Sequence, residues 1–172
     1  MAQAVSLSGL FRRGGVYYQL PGKLPKEALA ALIGLIPDVT GILNSTGPNS
    51  VDGKNSGKDK LLQAVLEREE LMPTAMGNGI ALPHPRNPLI ENAEEQFAAL
   101  AFLENEIDWG ALDGKSVHSI IMVVSASAKM HLATLQRITF FCRDENFCSL
   151  LKRRAPAEEI LALIEKTEQG WN

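Results

Sequence analysis

The chain has 172 residues, 45% of them hydrophobic, which suffices for one domain with a proper core. Its 17 basic and 20 acidic residues give a formal net charge of -3, which argues against a nucleic-acid-binding surface. No apolar stretch approaches the roughly 18 to 20 residues that cross a bilayer, and the N-terminus lacks the apolar centre of a signal peptide. We therefore expect a single cytoplasmic domain over residues 1–172, with no nucleic-acid partner and no membrane span.

The first part of the chain predicts one strand and two helices. Residues 16–20 are typical of a short strand, and residues 23–36 predict a helix with Pro25 in its first turn. Residues 44–60 change abruptly to Gly, Ser, Asn and Lys, which predicts a polar, mobile surface loop and not a domain boundary. The next helix is expected to begin near Ser56. Its buried face should consist of Leu61, Leu62, Val65 and Leu66.

The second part of the chain predicts two interior strands followed by two helices. Residues 97–103 and 119–124 are near-continuous apolar runs of strand length. Ser127 is a candidate cap for a helix that follows the second strand. Residues 155–159 begin a last helix, with a proline and acidic residues in its first turn. This alternation of strands and helices favours a layered α/β domain.

A histidine between two prolines is the most informative local feature. Pro83 and Pro85 fix their own φ and bias the preceding residues towards extended geometry, so His84 is stiffly mounted. Neutral imidazole can accept a phosphoryl group on one nitrogen when the other is held in the right tautomer. The alternative is an ordinary loop histidine. Backbone N–H groups that could approach a phosphoryl group belong to the preceding turn of Gly77, Asn78 and Gly79.

His131 is a second candidate for this chemistry. A helix that begins near Ser127 places it within about one turn of the N-terminus, where the helix dipole disfavours imidazolium and free N–H groups attract anions. A neutral His131 could donate to a phosphoryl oxygen. The alternative is a half-buried histidine on an amphipathic face. His118, beside an apolar run, is more typical of a strand end.

Other chemistries have little support in the sequence. The histidines and cysteines show no recognised zinc spacing, so we expect no metal. Cys142 and Cys148 are too few for a disulfide framework and are expected as reduced thiols. The chain has no Gly-x-Ser-x-Gly elbow, P-loop or dinucleotide fingerprint, which disfavours hydrolases and nucleotide-dependent enzymes.

Two separated segments together carry a family signature. Residues 68–84 contain an Arg-Glu pair, a Thr-containing turn and the run Gly-Asn-Gly-Ile-Ala-Leu-Pro-His, and residues 129–135 contain a His-Leu pair with a second Leu three residues beyond. In these the chain resembles the fructose/mannitol-type enzyme IIA of the bacterial phosphoenolpyruvate-dependent phosphotransferase system, including its nitrogen-regulatory paralogues. The resemblance covers roughly residues 5–168. It implies an α/β domain with a mixed β-sheet flanked by helices.

The resemblance also implies roles and partners. It makes His84 the phosphorylated residue, His131 a residue that contacts the phosphoryl group or orients His84, and Arg68 the cationic stabiliser. It implies phosphorylated HPr as the donor, an enzyme IIB as the usual acceptor, and no cofactor. At Pro85 the chain departs from the family, which has a small residue there; proline removes an N–H that might have donated to the phosphoryl group, and Arg86 could compensate electrostatically.

The output of such a carrier has three possible forms. The chain carries neither an enzyme IIB signature nor transmembrane helices, which favours the nitrogen-regulatory branch, where phosphorylation switches binding to regulatory target proteins. A sugar-specific enzyme IIA that donates phosphate to an enzyme IIB is the first alternative. A non-catalytic interaction module on the same fold is the second.

Overall fold

The computed structural model describes residues 6–37 and 57–171. Within these ranges the chain forms six α-helices, five β-strands and one short 3-10 turn. None of the helices described is long and apolar enough to cross a membrane. In chain order the elements are α1 (Leu7–Gly14), β1 (Val16–Leu20), α2 (Pro25–Leu35), α3 (Gly57–Leu71), β2 (Ala75–Gly77), β3 (Ile80–Ala81), the 3-10 turn (Ala93–Glu95), β4 (Phe97–Ile107), β5 (Val117–Val124), α4 (Ala128–Phe141), α5 (Glu145–Lys152) and α6 (Ala157–Gln169).

The five strands form one mixed sheet in the order β1-β4-β5-β3-β2. β1 runs parallel to β4 and β3 parallel to β5, whereas the pairs β4–β5 and β2–β3 are antiparallel. The central ladder runs from Phe97 opposite Val124 to Phe102 opposite Ser119. Its residues are buried on both sides, which explains the near-continuous apolar runs that predicted these strands. The mixed β-sheet flanked by helices is therefore confirmed.

Side chains of β4 and β5 enter two hydrophobic clusters, one on each face of the sheet, because successive residues of a strand point to opposite sides. Helices α2 and α3 cover one face, with Leu32 and Leu61 fully buried against it. Helices α1, α4, α5 and α6 cover the other, with Phe11 and Phe141 in its centre. Each fully buried side chain of this kind contributes roughly 1.5 to 3 kcal/mol. Burial on both faces thus makes the sheet the rigid layer of the domain.

Most predicted elements have the expected positions. β1 has the predicted bounds, α3 begins one residue after the predicted start, and Ser127 caps α4 by accepting a hydrogen bond from the Met130 N–H at 3.2 Å. Leu61 and Val65 are fully buried, while Leu62 and Leu66 pack against the same cluster as partly buried side chains. Of the polar loop predicted at 44–60, residues 44–56 lie outside the described residues, and residues 57–60 form the first turn of α3.

Three short elements escaped the sequence analysis. α1 and α5 have eight residues each, and β2 has three, so each offers little periodicity to detect. The usable signal was capping chemistry: Ser6 accepts from the Gly9 N–H at 3.1 Å, and Asp144 accepts from the Phe147 N–H at 2.8 Å. Serine and aspartate are preferred caps because their oxygens satisfy the free N–H groups of a first turn.

Three segments that are distant in sequence meet at one edge of the sheet. β3 and β5 are parallel, and the segment that follows β3 continues beside β5 as far as the hydrogen bond from the Val123 N–H to the Pro83 carbonyl, near the carboxyl end of β5. The chain leaves β3 towards His84, and it leaves β5 towards Ser127 and α4. α3 leads through a short turn into β2, whose first residue, Ala75, pairs with Ala81 at the end of β3. The end of α3 and the start of α4 therefore flank the segment that follows β3.

Candidate functional site

His84 is held in an extended segment between β2 and β5. On one side the Leu82 N–H donates to the Thr74 carbonyl at 3.0 Å, and on the other the Val123 N–H donates to the Pro83 carbonyl at 3.2 Å. Pro83 and Pro85 are buried, and His84 is half-buried between them. The stiff mounting that the two prolines predicted is thus reinforced by hydrogen bonds to both neighbouring strands.

One hydrogen bond assigns the tautomer of His84. Its Nδ1 lies 2.7 Å from the carbonyl oxygen of Leu82. A carbonyl only accepts, so Nδ1 carries the proton and donates, which leaves a lone pair on Nε2. Burial lowers the pKa of His84, and the Arg68 charge lowers it further, against the opposing effects of the Leu82 contact and the Glu69 charge. The ring is therefore neutral near pH 7, with Nε2 available as a nucleophile.

His131 lies directly beside His84. The centroids of the two rings are 4.9 Å apart, and their planes meet at 50°. His131 is in the first turns of α4, where its N–H donates to the Ser127 carbonyl at 2.9 Å. Burial lowers its pKa to about 4, and His84 and Arg68 act in the same direction. His131 is consequently neutral at pH 7 and retains one ring N–H as a donor.

Arg68 brings a cation to this pair of histidines from the last turn of α3. Its Nη1 donates to the carbonyl of Met72 at 3.0 Å, which ties the guanidinium to the turn that follows the helix. Its charge lowers the pKa of both His84 and His131, so it lies near enough to both rings to act on them electrostatically. The fold thus brings together the three side chains that the sequence analysis selected. Neutral imidazoles beside a fixed cation are suited to receive an anionic group.

The glycine turn, by contrast, lies at the opposite end of β3 from His84. The Asn78 N–H donates to Asp113 at 3.0 Å, and the Gly79 carbonyl accepts from the His118 N–H at 2.8 Å. The Pro83 carbonyl makes its contact four residues further along, about 13 Å away at roughly 3.3 Å per residue. Gly77, Asn78 and Gly79 thus lie at the far end of strand β3 from His84, and the approach of their N–H groups to a phosphoryl group on His84 stays a prediction.

The turn has its own structural reason for glycine. Residues 77, 78 and 79 have φ of 95°, 55° and 74°. A Cβ on Gly79 would lie 2.3 Å from the His118 ring. That ring packs over the turn, and its Nδ1 lies 2.7 Å from the Ser119 hydroxyl. His118 is thus a strand-end residue next to a hairpin turn.

The strand register also bears on the role of Pro85. The Ser119 N–H donates to the Gly79 carbonyl and the Val123 N–H to the Pro83 carbonyl, so odd-numbered residues from 79 onwards face β5. In a parallel ladder the nitrogen of such a residue faces the same strand as its carbonyl. Continued for two more residues, this alternation directs the nitrogen at position 85 towards β5, so we expect Pro85 to remove a ladder donor and not a donor to the phosphoryl group.

Glu69 is the residue that sequence reasoning passed over. Its carboxylate accepts hydrogen bonds from Thr74 and from Trp109, each at 2.7 Å, and so joins the end of α3 to the turn before β2 and to the loop after β4. The signal was present, since Glu69 follows Arg68 in the family motif. No local pattern, however, indicates that Trp109, forty residues later, is its partner.

An exposed apolar groove begins next to His131. Leu132 and Phe140 of α4 are 59% and 50% exposed, although they are large hydrophobic side chains. The groove has a volume of about 660 Å³ and ends near Asp144. The remaining residues that line the groove are Leu135, Gln136, Thr139 and Arg143.

Among the residues described, no group of three or more His, Cys, Asp or Glu side chains could hold a metal ion.

Comparisons with known proteins agree with this architecture. The family model described as "Phosphoenolpyruvate-dependent sugar phosphotransferase system, EIIA 2" matches residues 49–167. A nitrogen regulatory protein of Bradyrhizobium diazoefficiens is 29% identical over 106 residues, which cover 60% of this chain and 67% of that protein. Nitrogen regulatory protein IIA-Ntr of Neisseria meningitidis has a TM-score of 0.68 at 20% identity, over 87% of this chain and 92% of the other. Enzyme IIA for mannitol, in its complex with phosphorylated enzyme IIB from Escherichia coli, has a TM-score of 0.59 at 17% identity, over 88% and 94%.

Proposed function

Because this chain belongs to the EIIA 2 family of the phosphoenolpyruvate-dependent sugar phosphotransferase system, a family of phosphocarriers, we propose that it accepts a phosphoryl group on Nε2 of His84. The observation that carries this proposal is the 2.7 Å contact between Nδ1 and the Leu82 carbonyl, which leaves Nε2 as the nucleophilic atom. The proposed donor is a phosphorylated HPr-type carrier protein.

The transfer step follows from the arrangement of these groups. The Nε2 lone pair of His84 attacks phosphorus and a nitrogen–phosphorus bond forms. The bond between phosphorus and the donor atom breaks, and its electron pair returns to the donor. The proton on Nδ1 stays in place, because the Leu82 carbonyl holds it and stabilises the positive charge that the phosphorylated ring acquires.

Arg68 and His131 have distinct proposed roles in this step. The Arg68 guanidinium, anchored on the Met72 carbonyl, offsets the negative charge of the transferred group. His131, whose pKa is lowered to about 4, meets the group as a neutral ring that donates one N–H. Its position near the N-terminus of α4 adds a favourable helix dipole.

A protein donor and acceptor suit the surroundings of the site. The apolar groove on α4 starts one residue after His131 and exposes Leu132 and Phe140. Exposed apolar side chains in a row are a feature of protein-binding surfaces. We assign this groove to contact with the phosphocarrier and with the receiver of the phosphoryl group.

The receiver distinguishes a regulatory protein from a sugar-pathway carrier. We favour the nitrogen-regulatory type, and the similarity to the Bradyrhizobium nitrogen regulatory protein supports it. In that case the phosphorylated and unphosphorylated forms differ in binding to a target protein. The alternative is passage of the phosphoryl group to an enzyme IIB, which the likeness to the mannitol enzyme IIA supports at the level of the fold. A cytoplasmic location remains a prediction, which cell fractionation would test.

Incubation with phosphoenolpyruvate, enzyme I and HPr tests the chemistry. The wild-type protein should acquire one phosphoryl group, and His84→Ala should acquire none. Equal labelling of the two proteins would overturn the assignment. Transfer from the labelled protein to an enzyme IIB would favour the sugar-pathway alternative. A partner that binds wild type and His84→Ala but not the phosphorylated form would favour the regulatory one. A partner that binds all of them, together with no labelling, would indicate an interaction module without transfer.

A further inference from the structure

We propose that Glu69 is a positioning residue that sets Arg68 and His84 in fixed relation to each other, through an unbroken series of hydrogen bonds that begins at Trp109. This inference rests on the proposed phosphorylation of His84. The two histidines and the arginine are the groups that meet the transferred phosphoryl group. The carboxylate of Glu69 is engaged by Trp109 and Thr74, and its positioning role is exerted through Thr74.

The series starts in the hydrophobic core. Trp109 is only 3% exposed and belongs to the cluster between the sheet and helices α2 and α3. Its Nε1–H donates to Oε1 of Glu69 at 2.7 Å. A buried indole has little freedom to move, since its neighbours are close-packed. The carboxylate is therefore fixed in space by the core and not only by its own helix.

Glu69 then holds Thr74 by two contacts. The Thr74 N–H donates to Oε1 at 2.7 Å, and the Thr74 hydroxyl donates to Oε2 at 2.7 Å. With the indole, a single carboxylate accepts three hydrogen bonds, each of the stronger, charge-assisted kind. Two contacts to one residue fix both the position and the orientation of Thr74, which is itself 8% exposed.

From Thr74 the series reaches the nucleophile. The Thr74 carbonyl accepts from the Leu82 N–H at 3.0 Å, and the Leu82 carbonyl accepts from Nδ1 of His84 at 2.7 Å. Thr74 thus places the carbonyl that selects the tautomer of His84. A shift of Thr74 would move that carbonyl and release the ring.

The same clamp positions the cation. Arg68 precedes Glu69, and its Nη1 donates to the Met72 carbonyl at 3.0 Å, two residues before Thr74. The turn from Met72 to Thr74 therefore carries the anchor of Arg68 at one end and the anchor of His84 at the other. Because Glu69 fixes this turn to the core, it fixes the distance between the cation and Nε2. Misplacement of reacting groups by about 1 Å can cost up to about a hundredfold in rate.

Four substitutions separate geometry from charge. Glu69→Ala removes the clamp. Glu69→Gln keeps it, because the amide oxygen accepts from the Thr74 N–H and Trp109, and the amide nitrogen donates to the Thr74 hydroxyl. Thr74→Val removes one contact and Thr74→Ser retains it. Glu70→Ala is the matched control, since Glu70 is the exposed neighbour and carries the same charge.

The initial rate of labelling by phosphorylated HPr is the first measurement. We expect Glu69→Ala to lose about tenfold or more in rate, Thr74→Val to be intermediate, and Glu69→Gln, Thr74→Ser and Glu70→Ala to stay close to wild type. Equal rates for wild type and Glu69→Ala would overturn the proposal. If Glu69→Gln were as slow as Glu69→Ala, the charge would matter and the positioning role would be wrong. Thr74→Val preserves the test if Glu69→Ala does not fold.

The second measurement reads the tautomer directly and does not depend on transfer. Nitrogen-15 NMR of His84 in the wild-type protein should show a protonated Nδ1 and an unprotonated Nε2. In Glu69→Ala and Thr74→Val we expect a mixture of tautomers, whereas a clamp with only a stabilising role would lower the melting temperature and leave the tautomer unchanged. If wild type were not labelled at all, the proposed function would fail, and the NMR spectra would still decide whether Glu69 positions His84.

Discussion

Replacement of Gly79 by alanine tests whether the glycine turn serves the hairpin or the phosphoryl group. Two costs are expected. Gly79 has φ of 74°, and a left-handed conformation costs a residue with a Cβ roughly 1 to 2 kcal/mol. The new Cβ would also lie 2.3 Å from the His118 ring. The ring must then move and lose its contact with the Ser119 hydroxyl, at about 1 kcal/mol.

The expected loss in free energy of unfolding is therefore about 2 to 3 kcal/mol, measured by urea titration. Gly114→Ala is the matched control, since Gly114 has φ of 69° and a Cβ added there would meet nothing within 4 Å; it should lose only the backbone share, about 1 to 2 kcal/mol. In a His118→Ala background, Gly79→Ala should fall to the same cost as Gly114→Ala, which a double-mutant cycle would reveal.

The functional outcome separates the two interpretations of the turn. Because the extended chain between the Gly79 and Pro83 carbonyls spans about 13 Å and separates the turn from His84, the folded fraction of Gly79→Ala should be labelled by phosphorylated HPr at the wild-type rate. Loss of labelling in a folded Gly79→Ala variant, with an unchanged far-ultraviolet circular dichroism spectrum, would refute this reasoning. It would indicate that the turn contributes to the phosphoryl site.

Three further predictions concern the same edge of the sheet. Pro85→Ala should be labelled within about twofold of wild type, because an N–H restored at this position is expected to face β5 and to leave the reacting groups in place. A tenfold gain in the labelling rate would show that the missing N–H does serve the phosphoryl group. Ser125 is 3% exposed and its hydroxyl has no hydrogen-bond partner among the residues described, so Ser125→Ala should raise the free energy of unfolding by about 1 kcal/mol, while Ser127→Ala should lower it by about 1 kcal/mol through loss of the α4 cap; a loss for both in urea titration would contradict the first. Burial lowers the pKa of His131 from 6.5 to about 4, so its contribution to stability is complete above pH 6.5 and declines as the pH falls towards 4. Wild type should therefore lose more stability across this window than His131→Gln, and parallel pH profiles would contradict the assignment.

Local chemistry made much of the site predictable. The prolines on either side of His84 constrain the backbone within one residue of this histidine, and Ser127 defines the start of α4 and hence the position of His131 in its first turns. Both effects act between residues that are close in sequence, so a local sequence pattern is enough to predict them. The interior strands were equally visible, because burial on both faces of a sheet requires apolar side chains without interruption.

The relations between segments could not be predicted in the same way. A run from Gly77 to His84 is continuous in sequence, but the chain between them is extended, so the turn and the histidine lie at opposite ends of a strand. The converse holds for Glu69 and Trp109, which are forty residues apart and hydrogen-bonded. Residues that are close in sequence can lie far apart in space when the chain between them is extended. Residues that are far apart in sequence come into contact only when the fold brings their segments together.

The sequence by itself thus singled out His84 as the residue proposed to be phosphorylated, and the segments that carry Arg68 and His131. Only the tertiary structure decided which nitrogen of His84 donates to the Leu82 carbonyl, which strand the Pro83 carbonyl pairs with, and which side chain holds Thr74 at the end of the turn that anchors Arg68. The physical reason is that each of these depends on one hydrogen bond between groups whose direction is set by strand register and core packing. The residue type determines which hydrogen bonds a side chain can donate or accept, and the fold determines which partner it finds.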